Sequence, residues 1–243
     1  SQTRAFIFSC LSVLFTGLQE RLTIGFVNTS EGNRAMFLNR KDAGVKLASI
    51  MQPYRGMSDA IVLGMPRGGV PVAYELAKAL LLPLDIFCVR KLDVPADSGV
   101  TLGALATGDT VMVNHPLAAY LGVSEGQIDQ VIEIEIKELN RCEDVMRRGR
   151  PAHSLKGKHV ILVDDGLATG ASMRAAAVAI RNFEPVKVIA AVPIASRESF
   201  GEFQNAVDEV FCLATPSPFG EVCNWYVDYS ETSESEVQFL LDA

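Results

Sequence analysis

From Met36 onward, short β-branched runs alternate with Ala-rich or amphipathic segments, the pattern of a mainly parallel sheet covered by helices. DAGVKLASIM (42–51) reads as a helix, AIVLGM (60–65) as a strand, VPVAYELAKALL (70–81) as a helix and LDIFCVRK (84–91) as a strand. The next stretch, VPADSGVTLGALATGDT, is rich in Gly, Ala, Asp and Thr and reads as a long, loosely specified excursion of the kind used as an active-site flap. Ser124 with Gln127 then signals a capping box, opening a helix with Ile128, Val131, Ile132 and Leu139 on one face. KHVILVDD reads as a strand, ASMRAAAVAIRNF as a helix, VKVIAAVPI and VDEVFCLA as strands, and SETSESEVQFLLDA as a short closing helix. The pattern therefore predicts an α/β domain over 36–243 with an open, mainly parallel sheet flanked by helices. No repeat or second composition regime divides it.

Composition narrows the function classes. With 49% hydrophobic and 21% charged residues the chain has globular rather than disordered composition. Its net charge of -7 argues against a nucleic-acid coat or a polybasic membrane binder, so neither partner is expected. The five cysteines are odd in number and form no CxxC pair, which points to a reducing cytoplasm rather than a disulfide framework or zinc site. His115, His153 and His159 match no metal-binding spacing and are expected at the surface. Residues 1–35 stand apart. AFIFSCLSVLFTGL resembles a secretory h-region, but it lacks a basic cluster and a small-x-small cleavage signal, and it is too short to span a bilayer. It reads as an extra helix, or as translated sequence ahead of Met36.

The sharpest chemical signal is VILVDDGLATGAS (160–172), an apolar strand ending in two acids and a small-residue turn that opens a helix. Such a junction is an anion site: amides point outward, the helix dipole favours negative charge and small residues let a phosphate approach. Thr169 and Ser172 add hydroxyl donors, while ionised Asp164 and Asp165 are acceptors suited to two adjacent sugar hydroxyls. A plain helix cap would also explain a DDG turn before an Ala-rich helix. A Walker A loop is excluded, because no GxxxxGK[ST] occurs.

This string resembles the signature of the type I phosphoribosyltransferases for binding 5-phosphoribosyl-1-pyrophosphate (PRPP), DDxxxTGxS/T. The resemblance implies that Ala168, Thr169, Gly170, Ala171 and Ser172 hold the 5-phosphate and that Asp164 and Asp165 engage the ribose. GMPRGGVP (64–71) matches the family's pyrophosphate loop, which assigns Arg67, Gly68 and Gly69, together with Lys91 further on, to the diphosphate, with Gly68 and Gly69 offering consecutive amides. VRKLDVP (89–95) matches the basic pair before the flexible loop, so Arg90 and Lys91 join Arg67 as the catalytic cations. Together these strings are similar to a bacterial subgroup marked by LPRGGVPVA, VRKxxVP and VILVDDGxATGAT. That subgroup usually carries a flap glutamate where this chain has Gly99, which leaves open whether transfer is retained. TPSPFGEVCNWYVDY loosely resembles a purine-stacking segment, making Phe219 and Trp225 candidates for acceptor stacking or for core packing. The implied fold carries a small hood from the terminal segments. The implied reaction displaces pyrophosphate from PRPP by a nitrogenous base or similar acceptor, with Mg2+ held mainly by PRPP itself, and a homodimer is compatible with it. The rival expectation is a regulatory module that senses PRPP without transferring it.

Overall fold

The computed structural model describes residues 35–94 and 97–243, with the side chains of 97–99 also left aside. The readings of the N-terminal apolar run and of Gly99 as a flap position fall outside that description. The chain builds α1 (Arg40–Ile50), β1 (Ala60–Gly64), α2 (Gly69–Leu80), β2 (Leu84–Ile86), β3 (Val89–Val94), β4 (Asp97–Ala106), β5 (Thr110–Val113), α3 (His115–Tyr120) and α4 (Glu125–Arg147). It continues with β6 (His159–Val163), α5 (Ala171–Arg181), β7 (Lys187–Ile194), α6 (Arg197–Phe203), β8 (Glu209–Ala214) and α7 (Glu234–Asp242).

Five strands form a wholly parallel sheet in the order β2-β1-β6-β7-β8. Its central strands are apolar because both faces are covered. Along β1, Ala60 and Val62 pack on one face with α1 and α2, while Ile61 and Leu63 pack on the other with α5 and α6. Each such fully buried aliphatic side chain contributes about 1.5–3 kcal/mol. The strand order runs outward from β1 to β2 in one direction and from β6 through β7 to β8 in the other. The chain thus reverses direction between β1 and β6, and a crevice opens at their carboxyl ends.

Four features differ from the sequence reading. The run 84–91 is two strands, because after Ile86 the backbone leaves the parallel sheet and Cys88 exchanges hydrogen bonds with Thr107 at 2.8 and 3.0 Å. The expected loose excursion forms β4, paired antiparallel with β3 and β5 in a second, three-stranded sheet. Leu102, Leu105 and Ala106 are buried there, anchoring a segment whose Gly and Ala content suggested a loop. Among the histidines, His115 and His153 are exposed, but His159 is half-buried at the start of β6, with Nδ1 3.4 Å from Asp59. Short helices α3 and α6 were not foreseen.

The ends of the domain meet over the crevice. Met36 and Phe37 donate to the Trp225 carbonyl at 2.9 and 3.0 Å, and Val227 and Asp228 donate to the carbonyls of Phe37 and Leu38 at 2.9 Å each. This small hood is therefore built from both the N- and C-terminal segments. Among the described residues, no helix is long and apolar enough to cross a membrane.

Candidate active site

Two loops face each other at the β1/β6 crevice. The first, Met65 to Gly69, joins β1 to α2, and the second, Asp164 to Gly170, joins β6 to α5. Their contact is tight: a Cβ on Gly68 would lie 2.2 Å from Asp165 Oδ2, and one on Gly69 would lie 2.7 Å from the Val163 carbonyl oxygen. These glycines let the loops meet, and of the two amides expected to point outward only that of Gly69 has an acceptor among the described residues. The Gly69 amide is already committed to the Met65 carbonyl at 3.0 Å, closing the first turn of α2.

The second loop is built to accept an anion. Ala168's carbonyl accepts from Ser196 Oγ at 3.1 Å and from Ser199 Oγ, while Arg174 Nη2 donates to the Thr169 carbonyl at 3.0 Å. Gly170 takes the left-handed conformation at φ 70° as the residue ahead of α5. With these carbonyls held by the protein, the backbone amides from Ala168 to Ser172 have no acceptor among the described residues. A run of free amides at a helix N-terminus is an anion cradle.

The acids flanking the cradle differ in environment. Asp165 is buried, and its Oδ2 accepts from Arg40 Nε at 2.8 Å and from Tyr229 Oη at 2.9 Å. Asp164 Oδ1 accepts from the Asp165 amide at 2.9 Å. Burial and the neighbouring Asp165 carboxylate push Asp164 well above the usual carboxylate range. Arg40, Tyr229 and Tyr226, whose hydroxyl donates to the Asp165 carbonyl at 2.5 Å, carried no motif and were missed by sequence reasoning.

The cations divide. Arg67 stands at the crevice, paired with Glu231 of the C-terminal segment. Lys91 lines a groove of about 360 Å³ together with Ala171 and Ser172, so β3 and the start of α5 share one space. Arg90 does not join them. Successive strand residues face opposite sides of a sheet, and Arg90 is turned to α4, where its Nε lies 2.7 Å from Glu135. Trp225 is 6% exposed within the main core, with its indole nitrogen donating 2.9 Å to the Phe219 carbonyl. It serves packing rather than a stacking platform. Phe219 is half-buried and stacks on Trp225 with ring centroids 6.3 Å apart.

Comparison with known proteins agrees with this geometry. The sequence model of the phosphoribosyl transferase domain matches residues 39–228. Two Mycobacterium tuberculosis proteins, from strains CDC 1551 and H37Rv and provisionally named as phosphoribosyl transferases, are each 39% identical over 85% of this chain. The chain spans 46% of the length of these relatives. The crystal structure of TT1426 from Thermus thermophilus superposes with a TM-score of 0.74 at 35% identity, covering 84% of this chain and 97% of that one. With its parallel sheet, its switch-point loops and a family match over most of its length, the chain belongs to the phosphoribosyl transferase domain family and has the type I fold.

Proposed function

We propose that the chain is a phosphoribosyltransferase of the pentosyltransferase type, which binds PRPP across the β1/β6 crevice and passes its phosphoribosyl group to a nitrogenous base or similar small acceptor. The observation that carries this reading is the run of unpaired amides from Ala168 to Ser172, set beside two acids and opposite an arginine-bearing loop. One end of a diphosphorylated sugar finds its phosphate donors there. Asp164 and Asp165 supply acceptors for the ribose hydroxyls, and Arg67 and Lys91 supply cations for the diphosphate.

Attack of an acceptor nitrogen at the anomeric carbon forms the new C–N bond with inversion, and the proton that nitrogen carried is released with the products. The C–O bond to pyrophosphate breaks, and its electron pair leaves on the diphosphate. Arg67 and Lys91 stabilise that developing charge, while β3 to β5 and the hood screen the sugar carbon from water. A Mg2+ ion held mainly by the oxygens of PRPP would supply further positive charge to the leaving group, beside Arg67 and Lys91. Among the described residues no group of three or more His, Cys, Asp or Glu is arranged to cage it. Phe219 is the side chain we assign to the acceptor's face. The four described cysteines are free thiols.

Incubating the protein with PRPP, Mg2+ and a panel of bases and following pyrophosphate release tests the proposal. Release with at least one base is expected, falling about a hundredfold or more in Arg67→Ala and Lys91→Ala. PRPP binding without release on any acceptor would instead support a sensing module.

A further inference from the structure

We infer that Arg40 is a positioning residue for the ribose end of the site, acting through the Asp165 carboxylate without touching substrate. This rests on the phosphoribosyl reading above.

Arg40 opens α1 and meets the phosphate loop only through the fold. Its Nε lies 2.8 Å from Asp165 Oδ2, its Nη1 donates to the Ser230 carbonyl at 2.7 Å, and its guanidinium carbon lies 3.9 Å from the Tyr229 ring centroid. Tyr229 Oη donates to the same Oδ2 at 2.9 Å. The Arg40 and Asp165 side chains are each 11% exposed, so water screens this pair far less than an ion pair on the surface. Two donors on Oδ2 fix the plane of the carboxylate and leave Oδ1 without a partner among the described residues. A ribose hydroxyl donating to Oδ1 then meets an acceptor that is already oriented, with little ordering left to do on binding.

The surrounding geometry leaves no slack. A Cβ on Gly68 would lie 2.2 Å from Asp165 Oδ2 and 3.2 Å from Arg40 Nε, so the pyrophosphate loop closes over the pair. Lysine cannot reproduce the arrangement, because one ammonium does not bridge Oδ2 and the Ser230 carbonyl while stacking flat on a ring.

Calorimetric titration of the full chain with ribose 5-phosphate, and separately with inorganic pyrophosphate, tests the inference in wild type, Arg40→Gln, Arg40→Lys and Tyr229→Phe. Arg40→Gln is expected to weaken ribose 5-phosphate binding about tenfold or more, with Arg40→Lys recovering part of the loss. Pyrophosphate binding should stay within about twofold of wild type, because its cations are Arg67 and Lys91. Tyr229→Phe should show the same selectivity at smaller amplitude, and it decides the matter if the Arg40 variants fail to fold. Equal weakening toward both ligands, or unchanged ribose 5-phosphate binding in the folded variants, would overturn the inference alone. A wild type that binds no ribose 5-phosphate overturns the phosphoribosyl reading itself, and this inference with it.

Discussion

A methyl group added at Gly69 would meet two backbone groups, the Val163 carbonyl oxygen at 2.7 Å and the Asp164 Cα at 2.9 Å, and neither can swing aside. Gly69→Ala should therefore cost about 1–3 kcal/mol of stability by denaturant unfolding, and it should impair PRPP binding because the two loops are forced apart. The neighbouring basic pair makes a sharper contrast. Lys91→Ala should weaken pyrophosphate binding strongly, whereas Arg90→Ala should leave it close to wild type and cost at most about 1 kcal/mol, the value of a half-exposed pair with Glu135. The motif places both cations beside PRPP because consecutive residues look equivalent in a string. Strand alternation separates them. The small-residue turn with its free amides and the two acids beside it were legible because they depend on residue types at fixed local spacing. Arg40 and Tyr229 were not, since an arginine after Asn39 and a tyrosine after Asp228 acquire meaning only once the start of α1 and the segment ahead of α7 converge on Asp165.

Among the elements, α4 was the most readable. Its capping box is present as expected, with Ser124 and Gln127 each satisfying the other's backbone. The end of the same helix hides what a charge-rich string conceals. Of Arg147, Arg148 and Arg150, only Arg147 is buried, 2.9 Å from Asp85 and 3.2 Å from Glu143, with Nη2 donating to the Ile86 carbonyl at 2.8 Å. Glu143 in turn bonds Thr107, so one guanidinium joins β2, α4 and the end of β4. Burial alone would raise Asp85, but the Arg147 charge and the His153 amide outweigh it and hold its pKa below the usual range. A depressed folded pKa contributes stability above the unfolded value of about 3.9, and that contribution is lost as pH falls through the folded value. Arg147→Met should cost about 3–5 kcal/mol at neutral pH by leaving the buried Asp85 carboxylate without its arginine partner. The gap to wild type should narrow in acid, where Asp85 takes up a proton, and urea melts at pH 7 and pH 4 would show it.

At the scale of the molecule, the parallel sheet and its flanking helices were visible in the alternation of apolar runs, because each run is covered on both faces. The second sheet was invisible, since its strands lie half-exposed and carry the glycines of a loop. This difference should persist in solution. Amides of β1, β6 and β7 should exchange with deuterium far more slowly than those of β5, whose residues are half-buried or exposed. The strand order also explains why both loops serve one crevice: strands β1 and β6 are neighbours in space although almost a hundred residues separate them.

On the proposed function, in which Arg67 holds the diphosphate, its contact with Glu231 would set an entry threshold for ligands. A carboxylate already sits on the guanidinium, so an incoming anion must displace this tethered resident before it gains anything. A diphosphate carries enough charge to do so, and a lone monophosphate gains less from the exchange. Glu231→Gln should therefore tighten pyrophosphate binding by up to about fivefold while eroding the preference over inorganic phosphate, an effect that rising salt should mute.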